Sequence, residues 1–289
     1  MKKNIKAAIE QELPFFFSQP ALIWQILFFY LPILFVVFIS FKTNDSGLLE
    51  GFTLQNYISF FSPAFLYILV RSFFLAFFSS ILCLLIGYPV AFYIARKADR
   101  WKNLMLFFLM LPFWTNMLVQ LYAWFAVLEN KGLLNMLLLH LGIISEPLTL
   151  LNNTFAVYLV MVYYYLPFMI IPIYAILEKL DEAYIEASRD LGANNVQTFY
   201  HVILPLSMSG VMTGFFLVFV PAFGEFVIPG LVGGNKYMYV GTLISYYYLV
   251  ARNEPLGAAF TVASCMALVL VAFLAYRFFA RFIIGERKL

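Results

Sequence analysis

Residues 72–95 read SFFLAFFSSILCLLIGYPVAFYIA, twenty-four positions without a charged side chain, bounded by Arg71 on one side and Arg96-Lys97 on the other. As an α-helix rising 1.5 Å per residue, such a run extends about 36 Å, enough to cross a hydrocarbon core of about 30 Å. Five more charge-free runs follow the same rule: 21–41, 103–128, 154–177, 202–224 and 255–276. Their apolar residues are continuous and do not alternate with polar ones, which speaks against a membrane β-barrel. Composition agrees. Hydrophobic residues make up 64% and charged residues 11%, against about 45–50% and about 25% in soluble domains. A soluble core of 289 residues could not hide that much apolar surface, so lipid must solvate part of it. The expected fold class is all-α, a polytopic membrane protein with six transmembrane helices.

Orientation follows from Lys and Arg. With the N-terminus in the cytoplasm, thirteen of them, grouped within 2–6, 96–102, 179–189 and 277–288, lie on the cytoplasmic side. Only Lys42, Arg71, Lys131, Lys236 and Arg252 lie opposite, so the positive-inside rule predicts N-in and C-in. The net charge of +3 is thereby explained as a topology signal and implies no nucleic-acid partner. Residues 1–20 carry Lys2, Lys3 and Lys6 beside Glu10 and Glu12, and no small-residue cleavage site follows the first apolar run. They read as a cytoplasmic interfacial segment ahead of an uncleaved first helix, 21–41, with 281–289 as a cytoplasmic tail. Cys83 and Cys265 fall inside apolar spans and read as small hydrophobes, with neither a disulfide nor a metal site expected.

Between the spans, 42–64 and 129–153 read as outer loops, the first with Asn44-Asp45-Ser46-Gly47 as a turn signal. Residues 237–251 are uncharged, aromatic-rich and too short to cross, which suggests a re-entrant or interfacial segment. Prolines 32, 89, 112, 167, 172 and 221 sit inside spans, where each removes a backbone donor and tends to kink its helix. Pro112 and Pro221 stand out because polar or acidic residues come within four positions, and broken helices beside polar groups mark translocation pathways.

The inner loop 178–201 is more elaborate than a tether. Leu180, Tyr184, Ala187 and Leu191, spaced by four, three and four, form one apolar face of a short helix. Gly192 is placed to end that helix in a left-handed cap, and Asn194 or Asn195 to begin another. The stretch Glu186-Ala187-Ser188, Gly192, Val202-Ile203-Leu204-Pro205 resembles the signature of importer-type ATP-binding-cassette permeases: Glu-Ala-Ala, three residues, Gly, nine residues, Ile-x-Leu-Pro. Ser188 and Val202 are its departures, and the spacing is intact. Further segments, among them Leu111-Pro112-Phe113-Trp114-Thr115-Asn116 and Gly224-Glu225-Phe226-Val227-Ile228-Pro229, resemble the spermidine/putrescine branch, and the likeness covers roughly 65–280. Many relatives carry an acidic residue after the last Ile-Pro, where this chain has Gly230.

The resemblance implies a type I importer permease domain over 65–280 in a bacterial inner membrane. It implies an ATPase pair below, a second, related permease beside it and a soluble substrate-binding protein above. Glu186, Ala187 and Gly192 would dock the ATPase. The residues themselves agree that no catalytic machinery is present: the chain contains no Gly-Lys dipeptide, so it has no phosphate-binding P-loop. Neither a metal centre nor a cofactor is expected in this chain; ATP and Mg would be used by the partner ATPase. Glu225 closes one charge-free run and precedes another, and a carboxylate in hydrocarbon costs about 2.5–3.5 kcal/mol even on the lenient insertion scale. It either faces a cavity, where a polyamine ammonium would suit it, or pairs at the outer interface with Arg71, Lys236 or Arg252. Trp114, Thr115, Asn116 and Tyr164 complete the expected substrate pathway, the aromatic rings offering cation–π faces. The alternative function is a secondary transporter or channel for a small cation, working without ATP.

Overall fold

The computed structural model of the chain describes residues 19–44, 51–234 and 236–286. Most of the expected N-terminal segment, all of the Asn44–Gly47 turn beyond Asn44 and the end of the tail lie outside the described residues. Apart from one bridge between Lys42 and Phe52, the described regular structure is helical. In chain order the helices are α1 (Gln19–Ser40), α2 (Gln55–Phe60), α3 (Pro63–Arg96), α4 (Lys102–Met110), α5 (Met117–Leu128) and α6 (Leu133–His140). After them come α7 (Thr154–Lys179), α8 (Glu182–Asp190), α9 (Asn195–Phe223), α10 (Val227–Val232), α11 (Val240–Leu249) and α12 (Glu254–Glu286).

Two compact units divide the chain. One holds the described residues up to Ser62 together with Ile244–Cys265. In it Asn56 on α2 donates to the Ser40 and Lys42 carbonyls, and the Ser40 and Tyr57 hydroxyls lie 2.6 Å apart, so α2 is tied back onto the end of α1. Tyr247 stacks on Phe260 at 5.6 Å between centroids.

The other unit, Pro63–Leu243 with the residues from Met266 onward, is built on α3, α7 and α9. Hydrocarbon gives no hydrophobic reward for helix association, so such helices adhere through close van der Waals contact between small residues. The buried face of α3 is accordingly mostly small: Ser72, Ala76, Ser79, Ser80, Cys83, Gly87 and Ala91, with Leu75, Tyr88 and Ile94 as its larger members. On α9, Gly210 and Gly214 form a Gly-x-x-x-Gly pair against α7. A Cβ on Gly210 would stand 2.8 Å from the Pro172 carbonyl oxygen, and one on Gly214 would stand 3.0 Å from that of Met169. No larger residue fits at that separation. A buried hydrogen bond between the Tyr88 and Ser207 hydroxyls, 2.8 Å, adds a polar tie from α3 to α9.

Five of the six apolar runs form single helices long enough to cross a membrane: α1, α3, α7, α9 and α12. The sixth, 103–128, is not one continuous helix: it breaks at Pro112 and its polar neighbours, where the sequence suggests a broken helix. After a 3₁₀ turn over Leu111–Trp114, the backbone is extended at Thr115 and Asn116, and the two arms diverge by 97°. The arm from Lys102 to Trp114 is thirteen residues, about 20 Å, so neither straight half of the run crosses alone. Among the described residues there are therefore five to six candidate spans, depending on whether the bent pair counts as one. Two prolines are absorbed differently: π-helical turns at Ile26–Tyr30 and Phe199–Ile203 directly precede Leu31-Pro32 and Leu204-Pro205. Because of the second π-turn, α9 runs unbroken from the loop at Asn195 into the membrane, where the sequence suggested a separate short helix. The segment 237–251 holds α11, ten residues and about 15 Å, again too short to cross.

Candidate functional site

The inner loop forms helix–Gly–helix as its sequence suggests. The Asp181 side chain caps α8 by accepting from the Ala183 amide at 3.0 Å. At the other end Gly192, at φ +84°, donates to the Arg189 carbonyl at 2.9 Å, and the Ala193 amide donates to that of Ser188 at 3.0 Å. This is a Schellman closure, in which a left-handed glycine satisfies the last helical carbonyls. Asn194 then opens α9 through a capping box with Gln197, both bonds being 2.9 Å. The hydroxyls of Ser188 and Thr198 meet at 2.9 Å in a buried contact and fix the angle between α8 and the start of α9. Ser188, a departure from the family signature, is thus a structural latch.

The loop is clamped to the helical bundle. Arg96, at the end of α3, donates to the Leu180 carbonyl and lies 3.7 Å from the Glu182 carboxylate. Lys102 on α4 pairs with Glu178 at the end of α7. Glu186, Ala187 and Gly192 all remain exposed. So do Tyr184 and Leu191, the latter at 89%. Of the apolar face read from the 4-3-4 spacing, Tyr184, Ala187 and Leu191 are not covered by this chain, while Leu180 falls outside α8, in extended backbone at the end of α7, and is half-buried.

The second cluster surrounds Glu225, which is buried in the turn between α9 and α10. One carboxylate oxygen accepts the Tyr165 hydroxyl of α7 at 2.8 Å; the other accepts the Val227 and Ile228 amides at 2.9 and 3.3 Å. Amides at the start of a short helix have no intrahelical partner, so the carboxylate both satisfies them and sits at the favourable end of the helix dipole. None of these partners is a cation. Arg71, one of the expected partners, instead lies over the Tyr237 ring at 3.5 Å from its centroid.

Tyr164 is half-buried between Tyr165 and Phe113, at 5.2 and 6.4 Å between centroids, and so links the Glu225 cluster to the bend in 103–128. At that bend the Asn116 side chain caps α5, accepting from the Leu118 amide at 2.8 Å, and the Thr115 hydroxyl donates to the Pro112 carbonyl at 2.8 Å. Trp114 is 73% exposed and packs edge-on against Phe107 at 5.4 Å. Among the described residues no hydrogen bond or ring contact joins Trp114, Thr115 or Asn116 to Glu225; the connection runs through Phe113, Tyr164 and Tyr165. Sequence reasoning passed over Gln120, whose amide donates to the Thr115 hydroxyl at 2.6 Å and to the Pro112 carbonyl, pinning the bend. A glutamine in a charge-free run was the available signal. Tyr165 could be read from the sequence only as an aromatic face for a cation, and the clamp at Arg96 not at all, because both roles depend on elements distant in the sequence. Thr198, ten residues from its partner Ser188, was also passed over.

A family model described as "binding-protein-dependent transport system inner membrane component" matches residues 84–285. The spermidine/putrescine transport system permease protein PotB of Haemophilus influenzae is 41% identical over 256 residues, 88% of this chain and 90% of that protein. The corresponding permease protein PotC of the same organism is 27% identical over 250 residues, 84% of this chain and 89% of that one. Among solved structures, a chain of a bacterial alginate ABC transporter, in complex with an alginate pentasaccharide-bound periplasmic protein, matches with a TM-score of 0.75. It is 16% identical, with 96% of this chain and 97% of that chain covered, a likeness of fold.

Proposed function

This chain belongs to the family of inner-membrane components of binding-protein-dependent transport systems, and on that premise we propose that it is a permease subunit of an ATP-driven spermidine/putrescine importer. It is a multi-pass inner-membrane transport subunit, not the ATPase, and family membership sets aside the ATP-independent carrier or channel. The observation that carries the substrate reading is the 41% identity to PotB across nearly the whole of both chains. The likeness to PotC supports a second, related but distinct permease as its membrane partner, with an ATPase pair and a soluble binding protein completing the assembly.

In this reading the N- and C-termini face the cytoplasm, so that the 178–201 loop meets the ATPases. Glu186, Ala187 and Gly192 form the docking surface, and the uncovered apolar face with Tyr184 and Leu191 supports that role. Closure of the ATPase pair on ATP and Mg pushes the loop. The Schellman turn, the Ser188–Thr198 latch and the Arg96 clamp then pass the push as a nearly rigid motion into α9, α7 and α3. Glu225, Trp114, Thr115, Asn116 and Tyr164 line the cation pathway, with permease helices enclosed by 65–280 and the first helix, 21–41, lying outside that domain.

Gly192→Val tests the coupling. The substitution puts a branched side chain at φ +84°, costs about 1 kcal/mol or more locally and tilts α8. Spermidine-stimulated ATP hydrolysis by the reconstituted complex should fall together with ATPase co-purification. Wild-type values for both would remove the loop from coupling. An assembled wild-type complex that takes up neither spermidine nor putrescine would overturn the substrate assignment.

A further inference from the structure

Two recesses lie in series along the seam between α3 and α9. The first, about 490 Å³, runs from Phe77 to Pro89 on α3 and from Leu204 to Phe216 on α9. Of its lining residues only Tyr88 carries a polar group, and that hydroxyl is bonded to Ser207. The second, about 430 Å³, continues past Phe199, which lines both, to the end of α3 and the face of α8. Its charged lining consists of Arg96, Lys97 and Arg189 against Glu182 and Glu186, three positive groups to two negative. Arg96 Nε is buried without a hydrogen-bond partner, while Lys97 and Arg189 are exposed and form no ion pair among the described residues.

We propose that this seam binds one anionic phospholipid, phosphatidylglycerol in type, from the leaflet on the side of the 178–201 loop, with its phosphodiester against Arg96 and Lys97 and an acyl chain in the apolar recess.

Charge, length and continuity each favour that occupant. The surplus of one positive charge is cancelled by a single phosphodiester, whereas a zwitterionic headgroup leaves it unpaired. From Phe77 to Pro89 the apolar recess extends about 18 Å, the depth of one leaflet of a core about 30 Å thick. A partner transmembrane helix would fill the apolar recess but leave the basic one without an anion. Free phosphate would use the basic recess but leave the apolar one idle. Basic pockets beside transmembrane helices on the cytoplasmic side suit anionic headgroups for the same electrostatic reason. Lipid here would touch both α8 and the start of α9, and so the coupling loop itself.

The test uses the assembled transporter, delipidated in detergent and titrated with palmitoyl-oleoyl phosphatidylglycerol under native mass spectrometry. One retained lipid per copy of this chain is expected. Lys97→Gln and Arg189→Gln should each weaken retention about fivefold. Met212→Trp, which fills the apolar recess, should weaken lipid retention while leaving any binding of inorganic phosphate unchanged. Equal retention of phosphatidylethanolamine would overturn the anionic assignment. Retention unaltered by all three variants would overturn the site. Efficient crosslinking of Met212→Cys to the partner permease would show a protein interface there in place of lipid.

Discussion

Leu111-Pro112 and Leu166-Pro167 present the same dipeptide ahead of the same Phe, yet the first lies in a 3₁₀ turn at a 97° bend and the second inside an unbroken helix of 26 residues. The difference lies in the side chains just beyond each proline and in the packing around each helix. After Pro112 come Trp114, Thr115 and Asn116, and the latter two give the interrupted backbone alternative hydrogen bonds. Gln120 reaches back to seal them. After Pro167 come Met169, Ile170 and Ile171, which offer the backbone nothing, and α7 is gripped on two sides by α3 and α9. Proline permits a break; capping side chains make one, and close packing forbids it.

The grip on α7 can be broken directly. Gly214→Leu would drive a side chain into Met169, whose sulfur and carbonyl oxygen already stand 2.9 and 3.0 Å from the position of a Cβ. Overpacking of this kind costs about 1–3 kcal/mol, and here the nearest atoms include backbone that cannot rotate away. The expected result is loss of most folded protein, read as the monodisperse fraction after detergent extraction. Wild-type yield would show that α9 does not need that close approach.

Next in size is the Tyr165–Glu225 bond, which ties straight α7 to the α9–α10 turn. Tyr165→Phe leaves a buried carboxylate oxygen without its donor, a loss of about 1–3 kcal/mol, visible as a lower thermal midpoint of the purified complex. Glu225→Gln separates structure from charge. The glutamine oxygen can keep the two amides while its NH₂ donates to the tyrosine oxygen, so folding should survive. Spermidine uptake should nevertheless fall about tenfold or more, equivalent to about 1.4 kcal/mol of lost cation binding. Normal uptake by a well-expressed Glu225→Gln protein would leave the carboxylate as a helix cap and move cation recognition to Trp114, Thr115 and Asn116.

These outcomes bear on how much the sequence discloses. The charge-free runs reveal the helices, because length in lipid is set by bilayer thickness and by nothing more distant. The 178–201 loop is equally legible, since Gly192 and Asn194 act on their own neighbours within five residues. Glu225 announces itself as costly, but its partner is sixty residues away, and the choice of Tyr165 over Arg71 is made by helix packing. The bend is visible in the sequence only as proline beside polar residues. Its angle depends on Gln120, whose role appears once the turn is built. The Gly210–Gly214 approach is written in the sequence, yet only packing shows which helix it meets.

A smaller effect is expected at the bend itself. Asn116→Ala removes an N-cap worth about 1 kcal/mol, and Gln120→Ala removes the bond that closes the turn. Spin labels on α4 and α5 should then report a broader distance distribution about a similar mean. A distribution as narrow as that of wild type would mean that contacts beyond this chain hold the angle.

The smallest effect should come from the prolines. If proline caused the bend, Pro112→Ala would let α4 run straight into α5, and the same spin labels would move apart by many ångströms. The hydrogen bonds argue otherwise. Thr115 and Asn116 stay in place, and the Pro112 carbonyl that Thr115 and Gln120 engage belongs to the backbone, so alanine offers the same acceptor. The mean distance should hardly change. Pro167→Ala should be quieter still: α7 is already continuous, and the added amide only completes a ladder that packing has kept straight. A change in thermal midpoint equivalent to less than about 1 kcal/mol is expected for both, since alanine at a conformation it tolerates alters chiefly the unfolded state. Straightening in Pro112→Ala would transfer the cause of the bend from the capping residues to the ring, and with it the contrast between the two Leu-Pro sites.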